Sequence, residues 1–135
     1  MRGVLVDTGP LVAVIHADDA FHEACVETLK QIQEPLFTVW PVITEALYLI
    51  RSLLARERLW DLLEQHQMQP LALETADIPG IRGLMKKYAD FPMDLADATL
   101  VHVAARDGIQ TIFTTDRTDF GIYRLPGGRR LRLLP

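Results

Sequence analysis

Alternation constrains this chain most. Short apolar runs of strand character are separated by longer stretches with helical spacing. The first run, residues 3–6 (GVLV), stops abruptly at Asp7. A brief continuous apolar run bounded by turn residues reads as a buried strand. Thr8-Gly9-Pro10 punctuates it, and Pro10 suits the first turn of a helix carrying Leu11, Val12, Val14 and Ile15. Asp18 or Asp19 is the expected N-cap of a helix over about 20–33. Residues 36–39 (LFTV) read as a second strand. Helices follow over about 41–54, opened by Pro41, and over about 55–67. Residues 68–73 form a third strand interrupted by Pro70. A helix over 75–88 has two starts because of Pro79-Gly80. A helix over 94–106 ends at Asp107-Gly108, where glycine favours a left-handed cap. Residues 109–115 are a β-branched strand, and a last strand is expected at 130–134.

Strands alternating with helices imply an α/β fold whose mainly parallel sheet is covered on both faces. The 135 residues fit a single domain, 1–135. In such sheets the active site lies outside the carboxyl ends of the strands. Asp7 and Asp116 both occupy that kind of place, each directly after an expected strand.

Composition narrows the function classes. The single cysteine, Cys25, rules out an internal disulfide and fits a reducing compartment. The first residues turn acidic before a secretion signal could build up. No apolar run of ~18 residues could span a membrane. The expectation is a cytoplasmic protein with no membrane partner. A formal net charge of −4 argues against a general nucleic-acid binder. The charge is unevenly spread, however: residues 117–135 hold Arg117, Arg124, Arg129, Arg130 and Arg132 against only Asp119.

The acids carry the chemistry. Asp7 before Thr-Gly-Pro suits a turn as well as a site. Glu45 sits within VITEALYLI, which reads as a buried helix. A carboxylate there is costly unless it is paired, hydrogen-bonded or bound to a metal. Thr44 and Arg51 are its ordinary candidate partners. Asp94 suits an N-cap, and Asp97 one turn on shares its face and gains from the positive helix end. Asp116 and Asp119 lie in TTDRTDF, where Thr114 and Thr115 add hydroxyls. Residues 1–29 and 88–105 contain no Lys, and Arg2 is their only Arg. Converging carboxylates with no such partner raise one another's pKa, so the set predicts a cation. Hard divalent ions take oxygen ligands, and Mg²⁺ prefers one or two carboxylates with waters and phosphate oxygens.

Rival chemistries lack their residues. His16, His22, His66 and His102 show no metal-ligand spacing, and His102 within an apolar helix reads as a hydrogen-bonded core histidine. Cys25 near Glu23 and Glu27 is not set up as a thiolate. The sole serine, Ser52, is in no nucleophile elbow. A phosphotransfer fold needs an acid next to Asp7 and a late Lys, and no Lys follows Lys87.

Taken in order, these motifs form a pattern. Asp7-Thr8-Gly9-Pro10-Leu11 resembles the opening aspartate motif of PIN-domain nucleases. Thr44-Glu45 resembles their second acid, Asp97-Ala98-Thr99-Leu100-Val101 their third, and the segment from Thr114 to Phe120 their terminal Thr-x-Asp-x-x-Asp-Phe motif. The order, spacing and length are similar to the VapC toxins of bacterial toxin–antitoxin pairs. The resemblance implies a three-layer α/β/α sandwich, Mg²⁺ or Mn²⁺, endonucleolytic cleavage of RNA, a homodimer and a small antitoxin partner. It carries over Asp7, Glu45 and Asp97 as catalytic and metal-holding acids. Asp116 is the fourth for its strand-end position, with Asp119 as near-equal metal candidate. Thr8, Asp94, Thr114 and Arg117 are expected to support the site or the substrate, and Arg117, Arg124 and Arg129 to hold flanking phosphates. The alternatives are a catalytically inactive module of the same fold that binds RNA or protein, and a non-toxin RNA-processing nuclease.

Overall fold

The computed structural model describes residues 1–135. Five parallel strands form its centre: β1 (Val4–Val6), β2 (Leu36–Thr38), β3 (Gln69–Pro70), β4 (Thr111–Phe113) and, last in the chain, β7 (Arg132–Leu134). Their order is β3-β2-β1-β4-β7. The strands β5 (Arg124–Leu125) and β6 (Arg129–Arg130) pair antiparallel as a separate hairpin. Seven helices surround the sheet: α1 (Thr8–Ile15), α2 (His22–Gln31), α3 (Trp40–Leu49), α4 (Leu53–Glu64), α5 (Ile78–Lys87), α6 (Leu95–Asp107) and α7 (Arg117–Ile122). The expected α/β fold with a parallel sheet is therefore present. No helix is long and apolar enough to cross a membrane.

The strand order positions the site. From β1 the chain moves outward one way to β2 and β3, then returns to the other side of β1 for β4 and β7. The point of reversal lies between β1 and β4, whose residues pair Val4 with Thr111, Leu5 with Ile112 and Val6 with Phe113. A crevice opens at the carboxyl ends of strands at such a point. Asp7 leaves one strand there and Thr114 the other, and the Asp7 amide donates to the Phe113 carbonyl at 2.9 Å. The strands beneath are mostly apolar: Val4, Leu5, Ile112 and Phe113 belong to one contiguous core with Val101, Val103 and Ile109.

Several local expectations need correction. Neither Asp18 nor Asp19 caps α2; Asp19 instead accepts the Phe21 amide at 2.9 Å in the turn before it. The helix starting near 41 stops at Leu49, because Ser52 caps a new helix by accepting the Ala55 amide at 2.9 Å. β3 shrinks to two residues at a sheet edge, the position a proline tolerates. The α3 helix is not buried all round. Val42, Ile43 and Ala46 are buried, whereas Trp40, Tyr48 and Leu49 are 49%, 83% and 49% exposed. Its outer face is apolar but uncovered. The two helical starts near Pro79 are real: a 3-10 turn at Thr75–Asp77 with a Glu74/Asp77 capping box precedes α5. Gly108 ends α6 with φ 70°, as its sequence position predicts.

Candidate active site

A chain of short hydrogen bonds organises the crevice. Asp7 is the N-cap of α1 and its Oδ1 accepts the Thr8 amide at 2.8 Å. Its Oδ2 accepts the Thr114 hydroxyl at 2.8 Å. The same hydroxyl accepts the Asp116 amide at 3.0 Å. Asp116 in turn caps α7, taking the Asp119 amide on Oδ1 at 3.1 Å. The acids after β1 and β4 are thus linked through one buried threonine. Gly9 permits the close approach of the two segments, because a Cβ there would stand 2.2 Å from the Thr115 hydroxyl.

The other acids come from α3 and α6. Asp94 caps α6 by accepting the Asp97 amide at 2.8 Å. Asp97, one turn in, accepts the Tyr123 hydroxyl on Oδ2 at 3.1 Å. Glu45 faces a groove that it shares with Asp94 and the exposed Trp40. Thr44 does not pair with it, since its hydroxyl donates to the Trp40 carbonyl at 3.0 Å.

Electrostatics separates these acids from the rest. Burial pushes the Asp7 carboxyl up, against the lowering hydrogen bonds from Thr114 and Thr8, and the Asp116 and Asp94 charges push it further. Glu45 is raised by burial and by Asp94 and Asp7. Asp97 is raised to about 7 by burial first, then by the Asp94, Asp7 and Asp116 charges. Asp119 is raised by burial and by its Asp116 neighbour. By contrast, Asp77 and Asp107 are lowered by His102 and Arg106. The molecule's three ion pairs all involve those two aspartates. Every carboxylate with a raised pKa therefore belongs to the predicted site, and none of the site acids has a basic partner. Perturbation of this kind marks functional sites.

The convergence is looser than expected. No three His, Cys, Asp or Glu side chains are grouped closely enough to hold a metal ion by themselves. The acids reach one another electrostatically, while several of their oxygens accept hydrogen bonds. A carboxylate oxygen has further lone-pair capacity beyond one such bond, and Mg²⁺ retains several waters rather than needing a closed protein cage. A second observation fits a hydrated cation. The Thr8 hydroxyl is buried beside Asp7 and is the one buried side-chain polar atom without a hydrogen-bond partner. Buried orphans of this type call for water or an ion. The candidates to hold such a metal are Asp7, Glu45 and Asp97, with Asp116 or Asp119 as the fourth acid.

Arg117 makes no ion pair with the acids; it is exposed and donates to the Pro135 carbonyl. Tyr123, fully buried, is the residue that sequence reasoning missed as part of the site. Its place just after the terminal acidic motif is the only signal that could have pointed to it. The rival histidine and thiol readings also resolve. His102 is held by Asp77 at 2.8 Å, and burial pushes the Cys25 thiol up.

Acids without a basic partner thus follow β1 and β4 and stand on α3 and α6 around the switch point. The PIN domain family model matches residues 4–125, and the chain belongs to the PIN domain family. Among its relatives is Ribonuclease VapC26 of Mycobacterium tuberculosis, 28% identical over 137 residues, spanning 98% of this chain and 100% of that protein. The crystal structure of Mycobacterium tuberculosis VapC20, described as a Sarcin-Ricin loop cleaving toxin, matches with a TM-score of 0.77 at 18% identity. It covers 85% of this chain and 91% of that one. FitAcB from Neisseria gonorrhoeae matches with a TM-score of 0.58 at 20% identity, covering 87% and 91%. The two structural likenesses bear on the fold.

Proposed function

We propose that the chain is a divalent-metal-dependent endoribonuclease acting as the toxin of a toxin–antitoxin pair. One observation carries the reading: acids around the switch point raise one another's pKa values and have no basic partner. The resemblance to a ribonuclease along nearly the whole chain supports it.

A bound Mg²⁺ or Mn²⁺ would supply Lewis acidity toward the phosphate and neutralise the gathered negative charge. The residues do the rest. Thr114 fixes Asp7 and, through the Asp116 amide, sets the spacing between the acids after β1 and β4. Tyr123 fixes the rotamer of Asp97. A carboxylate of this set, Asp97 among them, would take the proton from the attacking water. Glu45 and Asp94 line one groove together. The Asp119 amide steadies the Asp116 carboxylate, and Asp119 itself stays the other candidate for the fourth acid.

The same reading places the chain in the cytoplasm as a homodimer that binds a small antitoxin. The exposed apolar side chains of Tyr48, Leu53 and Leu54 support a protein interface on that face. The test is RNA cleavage by purified protein with Mn²⁺ beside EDTA, wild type beside Asp7→Asn. Metal-dependent cleavage that Asp7→Asn abolishes is expected; cleavage in EDTA, or full activity in the variant, contradicts the mechanism. Growth arrest on expression, relieved by the same substitution, separates a toxin from an RNA-processing nuclease.

A further inference from the structure

A second cleft, of about 430 Å³, lies along α6 beyond the acids. Lys87, His102 and Arg124 line it together with Gly127 and Gly128, and no Asp or Glu does. That is unusual in a chain of net charge −4. Neither Lys87 nor Arg124 takes part in any of the three ion pairs. Lys87 stands over the Tyr88 ring, 5.3 Å from its centroid. Arg124 is held in place because one terminal nitrogen, Nη1, donates to the carbonyls of Gly121, Ile122 and Tyr123 at 2.6, 2.9 and 3.1 Å. Its other guanidinium nitrogens have no protein partner. Gly127 and Gly128 have φ of 81° and 74°, and nothing lies within 4 Å of a Cβ built on either, so the rim is bare backbone that a ligand can approach closely.

The cleft is tied to the active site by two routes. Asp97, Val101 and Ala105 follow one another at helical i, i+4 spacing on one face of α6, and the last two line the cleft. At a rise of ~1.5 Å per residue they stand roughly 6 and 12 Å along the axis from Asp97. Tyr123 and Arg124 are consecutive: the first donates to Asp97, and the second lines the cleft. The cleft thus lies within about one or two nucleotide lengths of Asp97 along α6.

We propose that Lys87, Arg124 and the Gly127–Gly128 turn form a subsite for a backbone phosphate of the RNA strand, flanking the bond to be cut. The proposal rests on the ribonuclease reading above. Contacts of this kind position a strand without reading its sequence. His102 shapes the wall: Asp77 holds its Nε2, and its ring occupies space where a side chain at Gly80 would collide at 2.6 Å.

The test is binding of an end-labelled single-stranded oligouridylate to the protein in EDTA, followed by fluorescence anisotropy across a salt series. Lys87→Gln is expected to weaken binding roughly three- to tenfold at low salt and to make the slope of log K against log salt shallower by about 0.7, the loss of one phosphate contact on a single strand. Lys87→Arg is expected to restore both. Ala105→Glu, an exposed change on the floor of the cleft, is expected to weaken binding without touching any basic residue. No measurable binding at low salt, or an unchanged affinity and slope in Lys87→Gln, overturns the subsite. Cleavage with Mn²⁺ is then scored separately. A strand bound through Lys87 but never cut refutes the nuclease reading and leaves the subsite standing; efficient cutting indifferent to Lys87 does the reverse.

Discussion

The Tyr123 hydroxyl donates to Asp97 Oδ2 at 3.1 Å, joining the residue that follows α7 to the acid in the first turn of α6. Tyr123 also packs edge-on against Tyr88 and Phe120, so its hydroxyl is aimed by a rigid aromatic cluster. Tyr123→Phe keeps that packing and removes the bond that lowers the Asp97 pKa. The expected outcome is an acid limb of the pH–rate profile shifted upward, with kcat reduced and KM little changed. An unaltered profile would show that the hydroxyl does not act on Asp97.

Asp97 also makes a stability prediction. Its pKa rises from an ordinary 3.8 to about 7 in the folded chain. A carboxyl raised in this way favours the folded state when protonated. Its contribution is therefore fully present below the unfolded pKa and is lost as pH rises through the folded one. The Tm of the metal-free protein is expected to fall between about pH 4 and 7 by more in wild type than in Asp97→Asn. At pH 8 the Asn variant is expected to be the more stable, and to have lost at least ~100-fold in activity. Parallel melting curves across this pH range check it.

Thr114 serves two acids at once. Thr114→Val removes the hydroxyl that donates to Asp7 and accepts the Asp116 amide, leaving both without that partner in a buried place. The expected cost is about 1–3 kcal/mol in denaturant unfolding, together with a loss of activity. Thr114→Ser is expected to recover most of both.

Gly9→Ala places a methyl group 2.2 Å from the Thr115 hydroxyl. Crowding of this order costs about 1–3 kcal/mol. Because Thr115 directly precedes Asp116, cleavage is expected to fall by more than stability alone accounts for. The check is activity measured well below the Tm of the variant.

Much of this was legible in the residues because local rules agreed with the global fold. The run before Asp7, the β-branched stretch before Thr114 and the glycine at 108 each had one sensible conformation. The acids stood out because so little basic character surrounds them. Reasoning failed where the answer lay in three dimensions. The spacing of apolar residues in α3 cannot tell a helix buried all round from one with an uncovered apolar face, and Tyr48 lies on the latter. Ser52 splits what periodicity joins. The Tyr123–Asp97 bond spans 26 residues, so no local pattern encodes it. The strand order that gathers the acids depends on β4 pairing with β1, a contact between distant segments.

The central claim is that these acids are compatible because they share a divalent ion. Titration of Mn²⁺ into the purified protein at pH 6, by calorimetry in two buffers of different ionisation enthalpy, tests it most directly. Binding is expected with release of a proton from Asp97, and both the affinity and the proton release are expected to fall sharply in Asp97→Asn. Binding just as tight in Asp7→Asn and Asp97→Asn, or no binding at millimolar Mn²⁺, would contradict the account.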